Sequence, residues 1–129
     1  QIKLLDIEKI EKINFPVFNL KSEETLFGIE LLNKVIFKSD LLESEIKGKT
    51  PNWESDRIAD IDFILLKMAI SELLYFEQIP VRVTINEYLE IAKDYSTPKS
   101  NIFINGVLDN ISKDFEQNGR LNKSGRGLL

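Results

Sequence analysis

Few side chains in this sequence could do chemistry, and their types narrow which chemistry is open to it. It contains no histidine and no cysteine. That excludes a histidine-based triad, a disulfide, a thiolate metal site and a zinc site. Two constellations remain. Asp56, Asp60 and Asp62 cluster around an expected helix start. Paired carboxylates suit acid–base work, but no nucleophile, metal-ligand set or glycine-rich phosphate loop accompanies them, so catalysis is not expected. Acidic residues in a first helical turn also complement the helix dipole, which is enough to account for them. The second constellation is Lys99, Ser100, Asn101 and Phe103, at the start of the expected last helix. A helix N-terminus offers N–H groups to a phosphate. A cation adds charge, and an aromatic ring can stack on an unpaired base. Phe103 is therefore either a base-stacking residue or a core residue. Lys67, on the polar stripe of a long helix, is either a phosphate contact or a solvated lysine.

The elements that must position these residues are helical throughout. At 129 residues, 43% hydrophobic and 29% charged, the chain fits one globular domain. No apolar run is long enough to span a bilayer. The net charge of −4 argues against tight non-specific binding to nucleic acid by the chain as a whole. Residues 1–14 carry Ile2, Leu4, Leu5, Ile7, Ile10 and Ile13 at spacings that suit a short helix, which Pro16 breaks. Ser22 caps a helix with a wide apolar face to about Lys38. Ser39-Asp40 caps a shorter one, Leu41 to Ile46, ended by Gly48. Another short helix is expected from Trp53 to Ala59.

The longest helix starts at Asp60 or Ile61. It is apolar at most positions to Phe76, with Asp60, Lys67, Ser71 and Gln78 on a narrow polar stripe, so it is expected at the centre of the domain. Pro80 marks the next start. Thr84-Ile85-Asn86-Glu87 is a capping-box pattern that would start it later, but Val81, Ile85, Leu89 and Ala92 keep helical spacing and favour the early start. That helix runs to about Tyr95. Thr97-Pro98 then gives an N-cap and a proline at the first helical position. Phe103, Ile104, Val107, Leu108, Ile111 and Phe115 form the buried face of the last helix. Asn105-Gly106 alone would suggest a hairpin turn, but the helical spacing continues across it, and close helix packing is expected to explain the glycine. Glu72, Asn86, Glu87 and Asn105 lie in apolar helical stretches and are expected to be structural polar groups with partners. The domain is taken as residues 1–116, followed by a basic flexible tail over 117–129 that contains Arg120, Lys123 and Arg126.

Several of these residues carry a resemblance. Asn52-Trp53, Arg57-Ile58-Ala59, Asp62, Met68-Ala69, Glu72-Leu73-Leu74-Tyr75, Ile79-Pro80, Val83, Ile85-Asn86-Glu87 and Phe103-Ile104-Asn105-Gly106-Val107-Leu108-Asp109 resemble the NusB family of transcription antitermination factors. The pair Pro-x-x-Val-x-Ile-Asn-Glu and Phe-x-Asn-Gly-Val-Leu-Asp is its most specific part. The resemblance implies an all-α bundle of about six to seven helices arranged as two small sub-bundles. It implies a non-catalytic, cytoplasmic protein with no cofactor or metal. It also implies binding of boxA-type RNA with the ribosomal protein acting as NusE, within the transcription elongation complex.

On that reading Lys99, Ser100, Asn101, Phe103 and Lys67 are the RNA-side residues, and Asp56, Asp60 and Asp62 face the basic partner. One departure stands out. The resemblance implies an arginine-rich opening segment, yet the chain's four arginines are Arg57, Arg82, Arg120 and Arg126. That segment is expected upstream of Gln1. Two competing readings follow from the resemblance: an accessory domain of a ribosomal RNA cytosine methyltransferase, and a protein-interaction module that has lost RNA binding.

Overall fold

Residues 22–50 and 58–129 are described by a computed structural model of the chain. Among them are five α-helices: α1 (Glu23–Phe37), α2 (Ser39–Lys49), α3 (Asp60–Tyr75), α4 (Val81–Tyr95) and α5 (Pro98–Gln117). A short 3-10 turn, Gly125–Leu128, follows. This is the expected all-α fold. The helix expected over 1–14 and most of the one expected over Trp53–Ala59 lie outside the described residues. The last two residues of the latter, Ile58 and Ala59, are not helical. No helix among the described residues is long and apolar enough to cross a membrane.

Helix α3 is the hub and packs against each of the other four. Leu65, Leu66, Ala69, Ile70 and Leu73 are buried along it and meet Leu42 and Ile46 of α2 and Ile104, Leu108, Ile111 and Phe115 of α5 in one core. Helices α1 and α2 form one layer against it, and α4 and α5 form the other. The polar stripe expected on α3 is partly internal. Ser71 is fully buried and its hydroxyl donates to the Lys67 carbonyl at 2.8 Å. That intrahelical bond satisfies a hydroxyl that would otherwise be costly to bury.

Helix α1 starts where expected. The Ser22 side chain accepts from the Thr25 N–H at 3.2 Å. Among the described residues, α2 and α3 cover only part of the wide apolar face expected of it. Leu31 is buried, and Phe27 meets the Phe76 ring edge-on at 5.0 Å. Leu26, Leu32 and Ile36 are about half exposed (51–53%).

Helix α2 begins a little earlier than expected. Ser39 is its first helical residue rather than its cap, and its hydroxyl accepts from Lys67 instead. Gly48 lies within α2, which ends at Lys49; at its C-cap, Thr50, the threonine hydroxyl donates to the Ile46 carbonyl at 2.8 Å.

Helix α4 takes the early start. Pro80 is its N-cap, and its carbonyl accepts from Val83 and Thr84. The capping-box alternative fails because Thr84 is fully buried inside the helix, facing Glu72. Thr97 caps α5 as expected, accepting from the Ser100 N–H at 3.1 Å, with Pro98 in the first turn.

Two expectations about polar and small residues are corrected. Gly106 is exposed, and a Cβ there would meet nothing within 4 Å, so close packing does not explain it. Of Glu72, Asn86, Glu87 and Asn105, only Glu72 is buried; the other three sit on outward-facing positions of α4 and α5.

The segment expected as a flexible tail turns back onto the bundle. Gly119, at φ +68°, reverses the chain after α5. Arg120 N–H donates to the Phe115 carbonyl and Gly119 N–H to the Glu116 carbonyl, a Schellman closure that only a left-handed residue allows readily. The Arg120 guanidinium then lies over the Phe115 ring at 4.4 Å and pairs with Glu45 of α2 at 2.5 Å.

Candidate nucleic-acid interface

The start of α3, the end of α4 and the start of α5 converge at one end of the molecule. The α4–α5 turn is only Ser96-Thr97, so the two helices are held tightly antiparallel. The Ser96 hydroxyl donates to the Asp62 carboxylate at 2.6 Å, tying that turn to the first turn of α3. The Asn101 amide donates to the Leu89 carbonyl at 2.8 Å, joining α5 to α4. Thr97 and Ser100 share a hydroxyl–hydroxyl bond at 3.0 Å. A hollow of about 230 Å³ opens here, lined by Lys93, Thr97, Pro98 and Asn101.

The residues expected at an RNA surface divide by environment. Lys99 is exposed on the first turn of α5. Ser100 is buried and works within the cap, while Asn101 is half-buried and half-committed to Leu89. Phe103 is half-buried and packs against the core, so only part of its ring is open to a base. Lys67 is not part of this turn. Its ammonium donates to Ser39 at 3.1 Å and lies over the Phe63 ring at 4.9 Å, which makes it a joint between α2 and α3.

The residues expected to face a protein partner divide as well. Asp60 is exposed in the first turn of α3. Asp62 is only 3% exposed, and its carboxylate is taken up by Ser96. Asp56 lies outside the described residues. The acidic start and the Lys99 turn, treated as separate edges in the sequence, are therefore one contiguous end of the bundle.

The sequence reading missed Tyr95. It closes α4, immediately before the turn, and is 72% exposed. Lys93, also exposed, precedes it by two residues and reaches Glu90 at 3.4 Å. A ring this open has a face available for stacking that the half-buried Phe103 lacks. The available signal was its position: an aromatic on the last helical residue before a capped proline start has no following turn to bury it.

The largest polar constellation in the interior is elsewhere. Glu72 of α3 is buried and accepts from Thr84 at 3.4 Å and from the Tyr88 hydroxyl, both on α4. Burial pushes its carboxyl above the ordinary glutamate value, against the opposing pull of the Tyr88 and Thr84 bonds and the Lys123 charge. Burial, followed by the Glu72 charge and bond, pushes the Tyr88 hydroxyl far above its usual range. The cluster holds two helices together.

Comparison with known proteins follows the same lines. The NusB family model matches residues 4–113. Over 103 residues the chain is 47% identical to the transcription antitermination protein NusB of Salinibacter ruber, covering 80% of this chain and 64% of that protein. It is 39% identical to that of Chloroherpeton thalassium over 132 residues, covering all of this chain and 62% of the relative. It is 38% identical to that of Bacillus subtilis over 117 residues, covering 91% and 88%. The chain thus spans a little under two-thirds of the length of the first two relatives. Among solved structures, NusB of T. maritima superposes with a TM-score of 0.71 at 28% identity, covering 85% of this chain and 74% of that one.

Proposed function

The chain belongs to the NusB family, and from that membership we propose that it is a transcription antitermination factor. It acts in the cytoplasm without catalysis or cofactor, binding boxA-type RNA jointly with the ribosomal protein acting as NusE. The observation that carries this reading is the run of relatives named as antitermination proteins at 38–47% identity. The reading draws support from the α4–α5 turn. Lys93, Tyr95 and Lys99 are all exposed around the α4–α5 turn, offering cations to phosphates and a ring to a base. Asp60, next to that turn, is exposed and offers a carboxylate to a basic protein partner.

The test is a titration of boxA-like RNA with the protein alone and with NusE, at about 50 mM and about 200 mM salt, a range over which phosphate contacts lose orders of magnitude in affinity. The pair is expected to bind more tightly than either component and to lose that gain as salt rises. A pair that binds no better than NusE alone would overturn the reading. Within it, Tyr95→Ala is expected to weaken RNA binding by the value of one base–aromatic stack, about 1–3 kcal/mol, with the thermal midpoint of the bundle unchanged. Phe103→Ala is expected to lower both, because its ring also packs against the core.

A further inference from the structure

The C-terminal residues form a set of contacts that the proposed function does not use. Lys123 sends its ammonium to the carbonyls of Glu72 (3.1 Å) and Phe76 (2.9 Å). Glu72 lies in the last turn of α3 and Phe76 is its C-cap; the two carbonyls also accept from the Phe76 N–H at 3.2 Å and the Ile79 N–H at 3.3 Å, so Lys123 adds a second donor to each. Ser124 N–H donates to the Glu77 carbonyl at 3.1 Å, and its hydroxyl donates to the Glu77 carboxylate at 3.2 Å. Arg126 N–H reaches the Gln78 side-chain oxygen at 3.4 Å. Gly127 is buried against the Glu77 backbone so closely that a methyl group would drive into the Glu77 carbonyl oxygen. Leu121, Lys123, Gly127, Leu128 and Leu129 then wall one side of a groove of about 590 Å³, opposite Val81, Ile85 and the second half of α5.

We propose that residues 120–129 are an intramolecular strap that locks the α3–α4 connection and closes one side of the α4–α5 groove. Lys123 is its pin and Gly127 its point of closest approach. The strap is a distinct opening unit, because beyond Arg120, which reaches Phe115 and Glu45, its hydrogen bonds to the bundle run to residues 72–78: three to backbone carbonyls and two to the Glu77 and Gln78 side chains. Among the described residues, its apolar anchor to the core is Leu121. A segment held by surface-exposed backbone bonds opens at lower free energy than the core it covers. Undocking it removes the Lys123 donor from the end of α3 and opens the Val81 and Ile85 side of the groove without disturbing the packing of α5. Lys123 also couples the strap to the interior, since Glu72 accepts the pin at its carbonyl and holds α4 through its carboxyl.

The experiment is hydrogen exchange read by mass spectrometry on the full chain, comparing wild type with Gly127→Ala and Lys123→Met. In the wild type, residues 124–129 are expected to be protected well beyond an unstructured peptide. Both variants are expected to raise exchange over 120–129 and 76–80 by about tenfold or more, with residues 104–115 of α5 unchanged. Wild-type exchange at the unstructured rate would overturn the strap. So would variants within about twofold of wild type over these residues, or equal acceleration across α5, which would make the segment part of the core. Should Gly127→Ala fail to fold, Lys123→Met, which adds no bulk at the close approach, carries the same readings.

Discussion

At Glu72, burial and hydrogen bonding pull in opposite directions, and burial prevails. The carboxyl takes two donors from α4, Thr84 and Tyr88, which favour its ionised form. Its removal from water disfavours that form by more, so its folded value lies above that of the unfolded chain. The folded state therefore holds this proton more tightly than the unfolded state. The stability it contributes is fully present below the ordinary glutamate value of 4.5 and is lost as pH rises from there through the folded value. Glu72→Gln keeps the shape and an acceptor for Tyr88 but cannot ionise. Thermal midpoints measured across a pH series should fall more steeply in the wild type than in the variant over that window. Parallel curves would mean that Glu72 is ionised in the folded protein without cost. At the proposed recognition end, Tyr95 gives the complementary case. A residue with 72% exposure has little folded-state role to lose, so its substitution separates binding from stability in a way Phe103 cannot.

Helices α5 and α2 show how much a local pattern determines about an element. Gly106 lies mid-helix, exposed, with open space where a Cβ would go. Gly106→Ala is therefore expected to stabilise the protein by about 0.5–1 kcal/mol, through helix propensity and a smaller unfolded ensemble. Denaturant unfolding would show this as a higher midpoint at unchanged slope; a lower midpoint would mean that the glycine answers a steric demand. The same helix explains what was legible in the sequence. Thr97-Pro98 is a start signal made of adjacent residues, and the buried positions Ile104, Val107, Leu108, Ile111 and Phe115 repeat at helical spacing. Both signals are local, and both give the element and its inner face correctly. Ser39 is different. Its hydroxyl serves Lys67, 28 residues away, rather than its own helix, and no local pattern records that. Lys123 is the extreme case, because its partners lie 47 and 51 residues earlier. A basic run with glycines reads as a solvated tail until α3 supplies carbonyls for it. Asn86, Glu87 and Asn105 failed in the opposite direction: an apolar neighbourhood in sequence does not fix which side of the helix a given position occupies. The candidate site was half legible for the same reason. Lys99 sits beside a local cap signal, whereas the burial of Asp62 and the exposure of Tyr95 depend on how three helices meet.

On the scale of the molecule, α3 decides whether the two layers can come apart. Helices α1 and α2 pack on one side of it and α4 and α5 on the other, with α2 also reaching α5 through Lys49–Asp114 at 3.4 Å and the segment after α5 through Arg120–Glu45 at 2.5 Å. Those ion pairs are partly exposed and contribute little on their own. The coupling comes from the shared core, in which Leu42 and Ile46 of α2 and Ile104, Leu108 and Phe115 of α5 close on the same stretch of α3. An element common to both layers cannot lose one without exposing apolar surface that the other also needs. The described helices should therefore unfold in a single transition, with far-ultraviolet and near-ultraviolet circular dichroism tracing the same curve. Leu66, fully buried in the middle of α3, is the position that tests this. Leu66→Ala should cost about 2–5 kcal/mol and shift both curves together. If the curves separate in the variant, the α1–α2 layer holds without the centre of α3. The two layers would then be independent units, and the converging helix ends at the α4–α5 turn would be set by α3, α4 and α5 alone.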